Sequence, residues 1–355
     1  MNMNYWDWDI EKIRSYRVII CEGLNNGKCK EVYDYLLNRK ISVEAVVSQQ
    51  GELYNGHFQD IKIVSLSEGE RLISDKFCWI VCEENSSTEK IINTLKLLSI
   101  PVYIFDQNSV VIENEYDYVD DDGNRIINES GNKIPKVIFS GKGNELFIGR
   151  DVKLGNSVRL ELHNHSKICI EAYSKVGKDT SIIVYDHSNC TFGKYVAIGS
   201  ECNLSSRYMS NVEVRNEVQF ADGCMVFNKY DSLVKIGDQT TFEKRTNIIS
   251  VSGAEVVIGN GCMFSFDTSV ICNDGHGIFD ISLRQRVNRN KSILIGDRVW
   301  GGIKSTILGG AVLGDDIVIG ANSVVNKEYK NSNCILVGNP AREVRREIVW
   351  ERYLL

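Results

Sequence analysis

The sequence lacks the features that mark several common functional classes. It contains no long apolar run, and its first fourteen residues are polar and acidic. We therefore expect neither a signal peptide nor a transmembrane helix, and a cytoplasmic location. Positive charge is also in deficit, with a net charge of -6 and a pI near 5.6. This balance argues against a nucleic-acid-binding protein.

Paired cysteines are missing as well. The eleven cysteines are an odd number and none forms a C-x-x-C pair. A cytoplasmic chain would keep them reduced, so neither a disulfide framework nor a zinc ribbon is expected. The chain has 355 residues, which is enough for two or three domains with a sizeable core.

Residues 1–106 alternate short β-branched runs with helical patterns, which predicts a small parallel α/β domain. Its first turn, Glu22 to Gly27, is a degraded copy of the glycine-rich dinucleotide turn, with Glu22 and Leu24 at the first two glycine positions. A carboxylate there would repel a pyrophosphate. The segment resembles the Rossmann-like domains at the front of some sugar-modifying enzymes. We favour a structural or docking role over nucleotide binding.

Residues 107–136 carry the turn sequence Asp120-Asp121-Asp122-Gly123-Asn124 between two apolar-alternating runs, which predicts a hairpin-like linker.

A repeat of 22 residues begins at Ile148, and each repeat carries three apolar residues six apart. The eighteen positions, all Ile, Leu, Val or Phe, are Ile148, Leu154, Leu160, Ile170, Val176, Ile182, Phe192, Ile198, Leu204, Val214, Phe220, Val226, Ile236, Phe242, Ile248, Ile258, Phe264 and Val270. Such hexapeptides imply a parallel β-helix with three short sides per coil and one inward residue per side. The predicted β-helix domain spans 137–338 and has about eight coils.

The position two before each apolar residue should also point inward at a tight corner. It holds Cys190, Cys202, Cys224 and Cys262, so we predict that these four thiols are buried as small apolar groups.

The repeat is interrupted once, by the polar and basic loop 273–292 that contains His276. The hexapeptides resume at Ile295, with Trp300 close behind, and the last two coils have eighteen residues. After the repeat, Gly338-Asn339-Pro340 predicts a cap and a C-terminal capping helix over 339–355.

Four C-terminal motifs carry a resemblance to a known family. They are Asn273-Asp274-Gly275-His276, Ile295-Gly296-Asp297-Arg298-Val299-Trp300-Gly301-Gly302, Ile319 to Lys327, and Val337-Gly338-Asn339-Pro340-Ala341-Arg342. Together they resemble the left-handed β-helix acyltransferases, and in particular the O-acetyltransferases of bacterial surface polysaccharides of the polysialic acid O-acetyltransferase type. The resemblance implies acetyl-CoA as donor, a carbohydrate acceptor, and a homotrimer with active sites between subunits.

The resemblance also assigns residues. It implies that His276 is the catalytic base and that Trp300 lies by the acetyl-pantetheine arm. The family usually has Trp-Ile-Gly where this chain has Trp300-Gly301-Gly302, so the coil is expected to be looser there. Some relatives pair the histidine with an upstream asparagine, for which Asn247 is a candidate.

The chemistry fits a histidine, because a sugar hydroxyl must lose its proton as it attacks a thioester. Asp274 or Asp280 could hold the second ring nitrogen, and the sequence does not choose between them. For CoA we predict backbone amides near Gly302 and Ala321. The basic side chains expected to meet its phosphates are Lys327, Arg342 and Arg345. Basic residues of the loop, Arg284, Arg286, Arg289 and Lys291, could serve CoA or an acidic sugar, or be solvated.

His165 and His187 are 22 residues apart and should stack on neighbouring coils, with His163 nearby. Zinc binding of the γ-carbonic anhydrase kind needs three ligands and an open position, so no metal is expected. The sequence predicts an O-acetyltransferase that modifies a bacterial capsule, O-antigen or precursor. The alternatives are N-acetylation of a nucleotide-linked amino sugar, a metal enzyme, and a scaffold without activity.

Overall fold

The front of the chain contains five short parallel strands in a single sheet. They are β1 (Arg17–Cys21), β2 (Val43–Val47), β3 (Lys62–Val64), β4 (Phe77–Val81) and β5 (Val102–Ile104). Their order, β3-β2-β1-β4-β5, extends the sheet on both sides of β1. This order agrees with the predicted Rossmann-like sheet. The predicted helices and the Glu22–Gly27 turn lie outside the described residues.

The computed structural model describes residues 17–21, 43–47, 62–64, 77–81, 102–104, 109–112, 117–134, 136–282 and 285–352. The chain divides into two units, Met1–Asn108 and Ser109–Leu355. The first strands of the second unit are β6 (Ser109–Ile112), β7 (Tyr118–Val119), β8 (Arg125–Asn128), β9 (Val137–Ser140), β10 (Glu145–Ile148), β11 (Lys153–Leu154), β12 (Arg159–His163), β13 (Lys167–Ile170), β14 (Lys175–Val176), β15 (Ser181–Tyr185), β16 (Asn189–Phe192), β17 (Ala197–Ile198), β18 (Asn203–Arg207), β19 (Asn211–Val214), β20 (Gln219–Phe220) and β21 (Met225–Lys229).

The remaining strands are β22 (Leu233–Ile236), β23 (Thr241–Phe242), β24 (Asn247–Val251), β25 (Glu255–Ile258), β26 (Met263–Phe264), β27 (Ser269–Ile271), β28 (Phe279–Asp280), β29 (Gln285–Arg286), β30 (Ile293–Ile295), β31 (Trp300–Gly301), β32 (Thr306–Leu308), β33 (Val312–Leu313), β34 (Val318–Ile319), β35 (Val324–Val325), β36 (Glu328–Tyr329), β37 (Cys334–Gly338) and β38 (Ala341–Arg346).

These strands form the three faces of a triangular prism. Face 1 contains β10, β13, β16, β19, β22, β25, β30, β33 and β36 with β8 before them; face 2 contains β11, β14, β17, β20, β23, β26, β31, β34 and β37; face 3 contains β9, β12, β15, β18, β21, β24, β27, β32 and β35. All of these strands run parallel, and the pairing from Ile148 to Ile170 repeats the 22-residue step. The predicted left-handed parallel β-helix is therefore confirmed.

The repeat fills the core as predicted. Seventeen of the eighteen predicted apolar positions are buried, and the remaining one, Leu154, is partly buried and packs against the core. Glycine after these positions has a packing reason: a Cβ on Gly259 would lie 2.5 Å from the carbonyl oxygen of Gly296 in the next coil. The main chains of successive coils approach too closely there for a side chain.

The β-helix is longer than the eight predicted coils, because partial coils extend it at both ends. The predicted hairpin does turn at Asp120–Asn124, with β7 antiparallel to β8. However, β8 continues in parallel onto β10, and Ile126 and Ile134 are buried in the core. The segment assigned to a linker is thus the first, partial coil of the β-helix.

The capping helix predicted over 339–355 is wrong for the described residues. Ala341–Arg346 forms β38, which pairs antiparallel with β37 after a turn at the cis Asn339–Pro340 bond. The physical reason is the open edge of face 2. A strand satisfies the unpaired N–H and C=O groups of β37, whereas a helix could not.

Candidate active site

The loop 273–292 leaves the prism at the corner between faces 3 and 1, which we call corner 3. The sixth full coil reaches Cys272, which is buried, and the chain re-enters the core at Ile293. Between them, β28 and β29 form a small antiparallel hairpin. Asn288 ties this loop together, since its amide donates to Asp274 Oδ2 (2.8 Å) and to the His276 carbonyl (2.7 Å) and accepts from the Ile278 N–H.

His276 is exposed on this loop. Among the described residues its imidazole makes no hydrogen bond. Asp274 is committed to Asn288, and Asp280 accepts from the Ser282 main chain and hydroxyl. Small buried residues repeat every 22 positions at this corner, at Ser166, Ser188, Ser210, Ser232 and Ala254. His276 follows Ala254 by 22 positions but does not continue this column, because the loop departs after Cys272 and leaves His276 exposed.

Trp300 lies on face 2, where strand alternation points it outward and the neighbouring Gly301 inward. Its indole N–H reaches the Ser265 hydroxyl at 3.4 Å, and its ring lies 6.0 Å from the ring of Trp350. Trp350 is 6% exposed and donates to the Arg298 carbonyl at 2.7 Å. Trp300 is therefore a half-buried side chain with one edge fixed by the tail.

The tail segment that carries Trp350 packs back onto the prism, which the sequence did not reveal. Arg298 donates back to the Trp350 carbonyl (2.8 Å) and pairs with Asp316 (2.7 Å). Two residues on, Arg352 donates to Thr241 Oγ1 and to the Gly261 and Cys262 carbonyls. The contacts of Trp350 and Arg352 join residues 52 to 111 positions apart, and no local pattern signals such a pairing.

Gly301 does not loosen the coil, contrary to expectation. A Cβ on Gly301 would lie 2.8 Å from the ring of Phe264, which is fully buried. Phe264 is the last ring of a stack of three. Its centroid lies 5.2 Å from that of Phe242, which in turn lies 4.9 Å from that of Phe220. The missing side chain at Gly301 makes room for this ring.

The predicted CoA residues fall on two different parts of the prism. Gly302 already donates its N–H to the Ile319 carbonyl, and Ala321 is exposed at the next corner. Arg342 and Arg345 are exposed on β38 of face 2. Lys327 is exposed at corner 3, with its ammonium 5.2 Å from the Tyr329 ring centroid.

The structure thus forms two groups from the predicted site. His276, Asp274 and Lys327 belong to corner 3, whereas Trp300, Gly302, Arg342 and Arg345 belong to face 2 or its edge. In a triangular prism the edge between faces 3 and 1 lies opposite face 2. Asn247, the candidate partner of His276, is on face 3 and donates to the Arg245 carbonyl at 3.3 Å. Arg286 donates to Asn288 within the loop, and Arg284 lies outside the described residues.

Two of the three clustered histidines stack as predicted. The rings of His165 and His187 lie 5.1 Å apart and 10° from parallel. His163 points elsewhere: its Nε2 is 2.8 Å from Oε1 of the buried Glu161. Within the part of the chain that the structure describes, no group of three potential metal ligands occurs.

Comparison with known proteins gives relatives with stated activities. The chain is 36% identical over 80 residues to a polysialic acid O-acetyltransferase of Escherichia coli O1:K1 / APEC. It is 34% identical over 71 residues to WbbJ of E. coli K12, which is named as a lipopolysaccharide biosynthesis O-acetyl transferase. The resemblance read from the sequence is confirmed. The matched segments are 22% and 19% of this chain and span only 26% and 36% of the two relatives.

A solved structure, that of the polysialic acid O-acetyltransferase OatWY, aligns with 57% of this chain and 92% of its own, at 24% identity and a TM-score of 0.48. No family model matches the chain. Among the described residues, no helix has the length and apolar character needed to cross a membrane.

Proposed function

We propose that this chain transfers an acetyl group from acetyl-CoA to a hydroxyl of a bacterial cell-surface polysaccharide, such as a capsule or O-antigen, or of its precursor. The observation that carries the proposal is His276, an exposed imidazole with no partner among the described residues, presented on the one loop that interrupts the coils. Support also comes from the stated activities of the two curated relatives, over the segments that match.

In this mechanism one nitrogen of His276 accepts the proton of the acceptor hydroxyl as its oxygen attacks the thioester carbon. A backbone N–H donates a hydrogen bond to the negatively charged carbonyl oxygen. The bond to sulfur then breaks, and the CoA thiolate leaves and takes the proton from the imidazolium. Transfer is direct, so no cysteine nucleophile is needed. The described cysteines are suited to packing instead, since six of the seven are buried.

Face 2 supplies the groups that bind the donor, acetyl-CoA, in this proposal. Trp300 offers an apolar surface to the acetyl-pantetheine arm, and the exposed corner at Ala321, which packs beside the buried Gly302, allows a ligand to approach the main chain. Arg342 and Arg345 are exposed cations for the phosphates. A site that uses both His276 and face 2 has to draw them from different subunits, because they lie on opposite sides of one prism. This arrangement supports the proposed homotrimer.

The first experiment is release of free CoA from acetyl-CoA, measured with a panel of sugars, nucleotide sugars and polysaccharides that includes polysialic acid. Loss of a general base costs about 10² to 10⁴ in rate, so His276→Ala and His276→Asn should both lose acceptor-dependent release by that factor. If an amino group rather than a hydroxyl of the acceptor is acetylated, the protein is an N-acetyltransferase instead of an O-acetyltransferase.

Ile281→Ala is the matched control, because Ile281 is 95% exposed on the same loop. It should retain release close to that of the unchanged protein. Full activity of His276→Ala, or no release with any acceptor, would contradict the proposal.

A further inference from the structure

The four extra residues of the 22-residue coils build an unusual corner. At corner 3, face 3 is lengthened to a five-residue strand and then turns through two consecutive residues with positive φ. The pairs are Asn164 (44°) and His165 (56°), Asp186 (50°) and His187 (58°), Tyr208 (57°) and Met209 (60°), Tyr230 (62°) and Asp231 (52°), and Ser252 (54°) and Gly253 (75°). The plain coil after the loop turns the same corner through a single glycine of this kind, Gly310.

Bulky residues are uncommon with positive φ, yet one residue in each of the first four pairs carries an aromatic ring. The rings of His165 and His187 stack at 5.1 Å, and those of Tyr208 and Tyr230 stack at 5.1 Å with 15° between their planes. Both imidazoles are exposed and both phenols are half-exposed. We call these four residues the corner 3 ridge. It consists of two stacked pairs of rings, one at the second turn position and one at the first, on four successive coils.

Polar groups line the side of the ridge that borders face 1. Asn189 and Asn211 are the first residues after the turn in their coils, and Asn189 donates to Asn211 Oδ1 at 2.8 Å. They border a shallow cavity of about 320 Å³ that also includes Thr191, Glu213 and Arg215. Rings on one side and amide, hydroxyl and charged groups on the other form a surface that can both stack and hydrogen-bond.

The ridge is aligned with the candidate base. Asp274 and Gly275 follow Ser252 and Gly253 by the same 22 residues, so the loop with His276 leaves the prism at the top of this corner. With about 4.8 Å per coil, Tyr230 is about 10 Å below Asp274 and His165 is about 24 Å below it. An extended chain lying along the corner would pass from the ridge to His276.

We propose that the corner 3 ridge and the Asn189–Asn211 pair bind a segment of the acceptor glycan remote from the hydroxyl that is acetylated. The inference rests on the proposed function and specifies its substrate as a polymer rather than a single sugar. Because the rings of each pair stack on each other, they present their edges outward, where the imidazole nitrogens and phenol hydroxyls can hydrogen-bond sugar hydroxyls and the ring edges can pack against a sugar ring. Asparagine side chains donate to and accept from sugar hydroxyls, and a linear glycan matches the length of the ridge.

The chemistry of the corner favours a glycan over other macromolecules. Asp186, Asp231 and Glu213 lie along it, and they would repel the backbone of a nucleic acid. Apart from Met209, the turn positions beside the rings hold the polar residues Asn164, Asp186 and Asp231, so the corner lacks the continuous apolar patch that marks a protein-binding surface.

The test compares two acceptors: the polymer acetylated most efficiently and short fragments of the same polymer. The variants are His165→Ala/His187→Ala, which removes two exposed rings, and Asn189→Ala. Losing the contacts of these side chains with the glycan should raise KM for the long polymer about tenfold, which corresponds to the loss of one or two ring–sugar contacts. The kcat and KM for short fragments, and KM for acetyl-CoA, should not change.

The matched control is Tyr173→Ala/Tyr195→Ala. These rings stack equally well, at 5.0 Å, but at the corner between faces 1 and 2, and their removal should leave both acceptors unaffected. Saturation-transfer NMR on the His276→Ala protein gives a readout independent of turnover, in which the long polymer should contact histidine and tyrosine ring protons of the ridge.

An unchanged KM for the long polymer in both ridge variants would overturn the inference while leaving His276-dependent transfer intact. If the ridge variants also impair the kcat or KM for short fragments, or change the molar mass measured by light scattering, these residues support the fold or the oligomer instead. Transfer that does not depend on His276 would reject the proposed function itself.

Discussion

At the scale of single residues, the four cysteines at the predicted corner positions show how much a strict repeat can predict. Cys190, Cys202, Cys224 and Cys262 are each at most 2% exposed. Their depth was predictable because the position two before each apolar residue points into the prism in every coil. Their hydrogen bonds were not, since the Cys262 thiol lies 3.2 Å from the Gly296 carbonyl, across the inserted loop.

These thiols should be unreactive in the native protein. Burial raises the pKa of Cys262 to about 12 and raises that of Cys190 as well. Since only the thiolate attacks, burial protects all four thiols, and the raised pKa makes ionisation near pH 8 unfavourable as well for Cys190 and Cys262. We expect a bulky maleimide, located by peptide mass spectrometry, to modify these four cysteines only after denaturation.

Cys169 provides an internal comparison for that experiment. It is half-buried, and burial together with Glu171 raises its pKa to about 11. It should be modified before the four core cysteines. Rapid native labelling of Cys190, Cys202, Cys224 or Cys262 would contradict the assigned register.

At the scale of structural elements, the coils followed from the sequence and the ends did not. Periodicity predicts the coils because each side repeats the same inward contact with its neighbours. The tail contains no such repeat. Whether Ala341–Arg346 forms a helix or a strand depends on the free edge of β37, and the position of Trp350 depends on Arg298 far earlier in the chain. Contacts of that kind are tertiary, and they override local preference.

The phenylalanine stack leads to a test of packing between neighbouring coils. Gly301→Ile restores the side chain that the resemblance led us to expect, but it would place atoms where the Phe264 ring lies. Overpacking should destabilise the protein by about 1–3 kcal/mol. Phe264→Ala alone should cost about 3–5 kcal/mol through the cavity it leaves. The free energies of unfolding would be measured by denaturant titration at one protein concentration.

In the double variant the isoleucine can occupy part of the space left by the ring. The loss of stability should therefore be smaller than the sum of the two single losses, by about 1 kcal/mol or more. Strict additivity would show that Gly301 is not complementary to Phe264.

At the scale of the whole molecule, the two groups of candidate residues lie on different sides of the prism, so a proposed site that uses both groups needs more than one subunit. His276 leaves corner 3 and Trp300 lies on face 2, opposite that corner. The sequence placed them 24 positions apart and gave no indication of this separation. The reason is that the inserted loop and the turn of the coil send neighbouring segments to different sides of the prism. With the proposed roles of His276 and Trp300, one prism alone does not bring the base and the donor surface together.

Subunit mixing tests this arrangement directly. His276→Ala and Trp300→Ala proteins should each be nearly inactive, but trimers reassembled from an equal mixture should contain interfaces with an intact histidine facing an intact tryptophan. With random assembly about one quarter of the interfaces meet that condition, so about a quarter of the original activity should return. Separately assembled variants, mixed without exchange of subunits, are the control and should stay inactive. If reassembled mixtures also stay inactive, both residues act within one chain, whereas a Trp300→Ala protein that is active by itself would show that Trp300 has no part in the site.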